Sequence, residues 1–201
     1  MPLDHRFLPG TPIPPDATDY ANDYKEMNKY CDRIEIMAYD QGVIDVKLNA
    51  LRGAPYAPVA DPEWVESLVS IALKGGISRN KIILGIPTYG YEYKVTPLAT
   101  SEYEYQRLWA FNPRYATDIA SKLGITPLRN SAGEMEFSYD ARLLEPTPEA
   151  DSTTQTQQQL TETTTITENI GQQATSTQPL NYLTWSDAQA IADKVALARK
   201  L

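Results

Sequence analysis

Apolar and polar residues alternate along Arg33-Ile34-Glu35-Ile36-Met37-Ala38-Tyr39-Asp40. A period of two predicts a strand, with Ile34, Ile36 and Ala38 on one face and Glu35, Met37 and Tyr39 on the other. Asp40 then falls at the carboxyl end, where α/β folds place their chemistry. A second strand is predicted over Lys81 to Tyr89, running on into Gly90 and Tyr91. Between the two, the pattern changes to a helical period: Trp64, Val65, Leu68, Val69 and Ala72 form one stripe. Asp61 is a natural N-cap, Pro62 suits the first helical position, Glu63 complements the dipole, and Gly75-Gly76 ends the helix. Strand, helix, strand is a βαβ unit, which predicts parallel strands and a right-handed crossover.

The remaining segments are less regular. Residues 1–18 carry Pro9, Pro12, Pro14 and Pro15 and read as loop. Tyr20, Tyr24, Met27 and Cys31 recur at helical spacing, predicting a helix from about Thr18 to Tyr30. Residues 41–60, with Gly42, Gly53, Pro55 and Pro58, read as a long loop. From 91 to 145 tyrosines are dense. A helix is predicted near 113–123, closed by Gly124, and two strands flank a turn at Asn130-Ser131-Ala132-Gly133, the second over Glu134 to Tyr139. Residues 146–180 are dominated by Thr, Gln and Ser, and no positive charge occurs between Arg142 and Lys194. So little apolar surface cannot offset the entropy of ordering, so this stretch is expected to be a disordered insert. Tyr182 and Trp185 lead, as a short extended segment, into a last helix. A capping box is expected at Ser186-Asp187-Ala188-Gln189, with Ala188, Ile191, Val195 and Ala198 as the buried stripe.

Composition narrows the function. The chain has 201 residues and a net charge of -8. An acidic chain argues against nucleic acid and anionic membrane as partners, since both need basic patches. It suits a neutral, polar substrate such as a sugar. The single cysteine, Cys31, excludes an internal disulfide and reads as a small apolar residue ahead of the first strand. With His5 as the sole histidine, no zinc site and no cofactor is expected. No apolar run is long enough to span a membrane, and the first residues lack the apolar core of a signal peptide.

Taken in order, these motifs resemble the C-terminal part of a glycoside hydrolase family 18 barrel, the chitinase family, and in particular its bacterial spore-germination and cortex-hydrolase type. Asp32 to Asp40 is similar to the sixth barrel strand with its Met-x-Tyr-Asp ending, Ala54-Pro55-Tyr56-Ala57-Pro58 to the loop after it, and Lys81 to Gly90 to the seventh strand. The resemblance implies an α/β fold: a partial TIM (β/α)8 barrel, strands six and seven with their helices, carrying a small α+β insertion. Residues 1–96 would be barrel, 97–180 the insertion with its disordered segment at 146–180, and 181–201 the return to the barrel as its last helix. The implied chemistry is retaining hydrolysis of β-1,4-linked N-acetylglucosamine polymers, chitin or peptidoglycan, with the substrate's own acetamido group attacking the anomeric carbon. By resemblance Tyr39 would donate its hydroxyl to the acetamido oxygen, Asp40 would hydrogen-bond the sugar and Met37 would line the pocket floor. Tyr89 and Tyr91 would stand at its mouth. Many chitinases carry arginine at the position of Tyr91.

One departure changes the expectation. The family's proton donor lies in an Asp-x-x-Asp-x-Glu motif on the fourth strand. The nearest match here is Asp16-Ala-Thr-Asp19-Tyr-Ala21, with alanine at the glutamate position and a proline-rich loop before it. Glu35 would point too deep into the barrel to replace it. A whole barrel takes about 250 residues, so the chain is expected to hold the sugar-positioning residues without the acid, to be inactive alone, and to need the N-terminal part of the barrel as a complement. The alternative is a non-catalytic, lectin-like relative that only binds the polysaccharide; a plain α/β interaction domain is the third reading. A cell-surface or secreted bacterial setting fits the substrate. Trp64, Trp109 and Trp185 read as core, Trp109 alternatively as a sugar-stacking residue.

Overall fold

A computed structural model describes residues 23–44, 55–98, 102–144 and 178–201. The first helix, α1 (Tyr24–Tyr30), begins later than its spacing predicted, because the Asp23 carboxylate accepts the Lys25 and Glu26 amides at 3.1 and 3.0 Å and caps it there. Residues 18–22 of the expected helix, the proline-rich start and the Thr/Gln-rich stretch up to 177 lie outside the described residues.

The βαβ unit forms as its pattern required. Strands β1 (Ile34–Ile36) and β2 (Ile82–Leu84) pair in parallel, with Ile34 opposite Ile82 and Ile36 opposite Leu84. Both ladders are shorter than the predicted strands at 33–39 and 81–89. The Ile36 carbonyl accepts both Gly85 N–H at 2.9 Å and Ala38 N–H at 3.0 Å, so the chain turns out of the ladder there. On the other strand Pro87 has no N–H to contribute. The alternation nevertheless persists: Ile34, Ile36 and Ala38 are buried, and Glu35 and Met37 are exposed. Between the strands runs α3 (Pro62–Lys74), preceded by a single turn α2 (Gln41–Ile44) inside the expected loop. Four residues carry no readable period, which is why α2 escapes sequence reasoning. Asp61 caps α3 through the Glu63 amide at 2.9 Å. Its buried side chains are Trp64, Val65, Leu68, Val69 and Ala72, the predicted stripe. They pack with Ile34, Ile36 and Ala38 into one apolar cluster.

A second, five-stranded antiparallel sheet spans Gly90 to Trp185. Its strands are β3 (Gly90–Pro97), β4 (Tyr103–Phe111), β5 (Leu128–Arg129), β6 (Met135–Tyr139) and β7 (Leu180–Trp185), in the order β4-β3-β7-β6-β5. The β5–β6 turn is the predicted one: the Asn130 side chain accepts the Ala132 and Glu134 amides, and Gly133 takes φ 72°. The β3–β4 hairpin was not predicted. Its signal, the Tyr-Glu-Tyr-Gln run at 103–106, is cut short at the bulge described below. The segment at 182–185 proves to be part of the central strand, not a lead-in.

The two faces of this sheet do different things. Helix α4 (Pro113–Leu123), ended by Gly124 at φ 66°, covers one face with Ala116, Ile119 and Ala120 against Phe111, Phe137, Leu183 and Trp185. The other face, carrying Tyr91, Tyr93, Val95, Tyr105 and Tyr182, packs on Ala57 and Val59 of the proline-bearing loop and on Tyr39 and Tyr89.

The last helix, α5 (Ala188–Lys200), corrects the expected cap and stripe. Asp187, not Ser186, is the N-cap, accepting the Ala190 amide at 2.9 Å, while Ser186 is buried against Glu134 and Gln189 bonds Asp193. Ala188, Val195 and Ala198 are exposed; Ala190 and Lys194 are buried, and Leu197 and Leu201 reach the α3 cluster. The stripe was misread because its central member is a lysine. Lys194 is buried since its ammonium meets the buried Glu134 carboxylate at 3.0 Å. Glu134 also accepts the Val59 and Ala60 amides at 2.7 and 3.0 Å. One carboxylate thereby joins the second sheet, the last helix and the loop beneath the tyrosine face.

Candidate functional site

Where β1 ends, the chain places four of the five sequence-selected residues together. Asp40 takes φ 67°, a left-handed conformation that Asp tolerates better than most residues. Its carbonyl accepts the Val43 and Ile44 amides, both at 3.0 Å, so the residue opens α2. The turn is held from below: Gln41 N–H donates to Val59 O at 3.0 Å and Gly42 N–H to Pro58 O at 2.8 Å. The Asp40 side chain is thus fixed at the strand end.

Two hydroxyls converge on it. Tyr89 and Tyr91 both donate to Asp40 Oδ1, Tyr91 at 2.9 Å. They arrive from a segment that leaves the parallel pair and enters the second sheet at Gly90. A Cβ at Gly90 would lie 2.3 Å from the Thr184 carbonyl oxygen, so only glycine permits this crossing. Burial, reinforced by the hydrogen bond to Asp40 and its charge, raises the ionisation of Tyr89 well above the ordinary tyrosine value. The same causes push Tyr91 up to about 12. Both therefore remain donors through the neutral range. Asp40 Oδ2 has no partner among the described residues and is left open to them as an acceptor.

Tyr39 stands beside them, its ring edge-on to Tyr89 at 6.3 Å between centroids, with Tyr89 and Tyr91 edge-on at 5.6 Å. It leans on Gly85, where a Cβ would come within 2.9 Å of its ring. Unlike its neighbours, the Tyr39 hydroxyl has no hydrogen bond among the described residues. Burial, then the charges of Glu35 and Asp40, raise its pKa, so it too is a donor, and one without an acceptor. Met37 projects from the same face as Tyr39 and Glu35 and is 37% exposed; it is the selected residue that stands apart from the Asp40 hydrogen bonds.

The aromatic contacts continue away from the strand end, from Tyr91 to Tyr93 and from Tyr93 to Tyr105, each at 6.1 Å. Tyr105 accepts the Tyr56 amide at 2.8 Å, and Tyr56 donates to the α3 cap Asp61 at 2.5 Å. Sequence reasoning missed this ladder and the Glu134–Lys194 pair, since both depend on contacts between residues far apart in the chain, across the sheet for the ladder and between the sheet and α5 for the pair. Trp64 and Trp185 are core residues, as read. Trp109 is 47% exposed, but it pairs with Glu92 across the β3–β4 ladder and packs on Tyr115, on the sheet face turned away from Asp40. Among the described residues, no group of three His, Cys, Asp or Glu side chains could hold a metal ion. Asp16, Asp19 and Ala21 lie outside the described residues.

The end of the paired parallel strands thus carries a tyrosine hydroxyl and a carboxylate oxygen that have no partner among the described residues. Comparison with known proteins shows the family. The model of glycosyl hydrolases family 18 matches residues 10–201, and the chain belongs to that family. It is similar to an uncharacterized glycosylase, YvbX, of Bacillus subtilis, at 31% identity over 125 residues, covering 62% of this chain and 32% of that protein. It is also similar to chitinase 1 of Aphanocladium album, at 31% identity over 100 residues, covering 46% of this chain and 23% of that one. Among solved structures, the spore cortex-lytic enzyme SleL of Bacillus cereus superposes over 89% of this chain and 31% of its own, with a TM-score of 0.56 and 18% identity. The chain spans about a third or less of the length of each of these proteins.

Proposed function

We propose that this chain supplies the sugar-positioning half of a glycosidase site acting on β-1,4-linked N-acetylglucosamine polymers. The observation that carries this reading is the contrast between Tyr39, whose hydroxyl has no acceptor among the described residues, and Tyr89 and Tyr91, whose hydroxyls are spent on Asp40. Tyr39 then donates to the acetamido oxygen and turns it toward the anomeric carbon, while Asp40 Oδ2 accepts a hydrogen bond from the same sugar. Met37 lines the floor, and Tyr89 and Tyr91 hold Asp40 and form the mouth. In a substrate-assisted retaining reaction the acetamido oxygen forms a bond to the anomeric carbon as the glycosidic bond breaks, and an acid protonates the leaving oxygen. In this reading β1 and β2 are the sixth and seventh strands of a TIM barrel, and the second sheet is the α+β insertion. In this reading the acid comes from outside this chain, whose sequence holds no Asp-x-x-Asp-x-Glu motif.

Calorimetry with chitotetraose should show binding that Tyr39→Phe weakens by about tenfold, the share of one hydrogen bond. A fluorogenic chitobioside should give no turnover with the chain alone. Turnover would sink the claim that the acid is absent, and unchanged affinity in Tyr39→Phe would sink the role given to Tyr39. The lack of the acid motif also favours a second, purely lectin-like reading; binding without hydrolysis by this chain when complemented with the N-terminal part of a family 18 barrel would select it.

A further inference from the structure

Strand β4 is interrupted at one point. Glu92 of β3 stands opposite Trp109, but the next residue, Tyr93, stands opposite Arg107, so Leu108 is an extra residue bulged out of the ladder. A one-residue slip transfers every following side chain to the opposite face of a sheet. Without the bulge Arg107 would lie on the α4 face with Glu92. With it, Arg107 joins Tyr91, Tyr93 and Tyr105 on the face that meets Asp40. Its guanidinium carbon stands 6.0 Å from the centroid of the Tyr91 ring, the ring whose hydroxyl binds Asp40.

Three facts give that cation a direction. β4 is an edge strand and Arg107 is exposed, so its donors face solvent and not the core. It forms no ion pair among the described residues, although the chain has 26 acidic residues to 18 basic. Its charge nonetheless reaches the cluster, since it opposes the rise in the tyrosine pKa at both Tyr91 and Tyr93. An arginine resting beside a ring, with its forked donors toward solvent, can meet a carboxylate two-pronged.

We propose that Arg107 is a specificity-determining residue that binds a carboxylate carried by the glycan next to the sugar held at Tyr39 and Asp40. This rests on the positioning role given to those two residues and narrows the substrate class. Chitin is uncharged along its length. A peptidoglycan-type strand carries a lactyl ether on every second amino sugar, and wherever no peptide is joined to it that ether ends in a free carboxylate, an anion at the neighbouring unit. Arg107 therefore selects the acidic glycan over chitin.

The test is titration of the full chain with a muramic-acid-containing tetrasaccharide and with the same tetrasaccharide after reduction of its carboxylates to alcohols. The acidic glycan should bind about tenfold more tightly, an advantage that falls with added salt, that Arg107→Gln abolishes and that Arg107→Lys retains in part. Arg107→Gln should leave the reduced glycan within about twofold of its original affinity. Because Arg107 is exposed, the variant should fold, and its circular dichroism should match that of the unchanged chain. Equal affinity for the two glycans overturns the inference while leaving the positioning reading intact. Equal loss on both in Arg107→Gln also overturns it, and shows instead that the arginine acts by holding Tyr91. Binding of neither glycan by the unchanged chain overturns both readings.

Discussion

Gly85 shows how much a single residue can carry at this site. It follows β2, makes the 2.9 Å bond to Ile36 O that ends the ladder, and leaves the space into which the Tyr39 ring settles. A methyl group there would lie 2.9 Å from that ring and 3.1 Å from the Ile36 carbonyl oxygen. The backbone cannot yield as easily as the ring, so the ring must move. Gly85→Ala should cost about 1–3 kcal/mol in a denaturant titration, the usual penalty of overpacking. It should also weaken chitotetraose binding as much as Tyr39→Phe does. Normal affinity in the alanine variant would mean that the ring position is irrelevant. Glycine at 85 was visible in the sequence only as an interruption in an apolar run; its purpose depends on Tyr39, 46 positions earlier.

At the scale of elements, the tyrosine face is held to the proline-bearing loop by buried charge. Glu134, at the start of β6, accepts two loop amides and the Lys194 ammonium of α5. Both ionic side chains are essentially excluded from water. Removing the cation leaves a buried carboxylate without its compensating charge. Lys194→Met should therefore lower stability by about 3–5 kcal/mol, read as a shift in the urea midpoint. The exposed pair between Arg114 and Asp118 on α4, at 3.7 Å, is the natural comparison, and Arg114→Met should change stability by less than about 1 kcal/mol. Similar effects from the two substitutions would show that Lys194 is not buried in solution. This pair also explains the misread helix stripe: a lysine in mid-stripe looks like solvent exposure until its carboxylate, 60 positions earlier, is brought beneath it.

For the molecule as a whole, tyrosine is the residue that joins its parts, and this has a consequence at high pH. Tyr91, Tyr105 and Tyr115 are pushed up to about 12, burial being the first cause in each. Tyr89, Tyr93, Tyr139 and Tyr182 are raised as well, again chiefly by burial. They lie on both faces of the second sheet and at its junction with the parallel pair. In the unfolded chain each would ionise near pH 10. A group whose folded pKa exceeds its unfolded one adds stability that is fully present below the unfolded value and is lost as pH rises toward the folded one. The urea midpoint should hold steady from about pH 7 to 9 and drop above about pH 10, with tyrosinate absorbance rising together with unfolding. A midpoint indifferent to pH through that range would show these hydroxyls to be solvated.

The sequence by itself determined the local elements and marked the candidate residues. Alternation along 34–39 and the capped stripe at 61–76 depend only on neighbours a few positions apart, and they appear in the structure as read. The Met-x-Tyr-Asp ending marked Met37, Tyr39 and Asp40 because their types and spacing survive in the linear chain. Tertiary structure decided what links distant positions. It turned Tyr89 and Tyr91 onto one oxygen of Asp40 and left the Tyr39 hydroxyl without a partner among the described residues. It aimed Trp109 away from the site and, through one bulged residue, brought Arg107 toward it. Each of these depends on which face of a sheet a side chain occupies. That parity is set by strand register across the ladder, and no periodicity within a single segment records it.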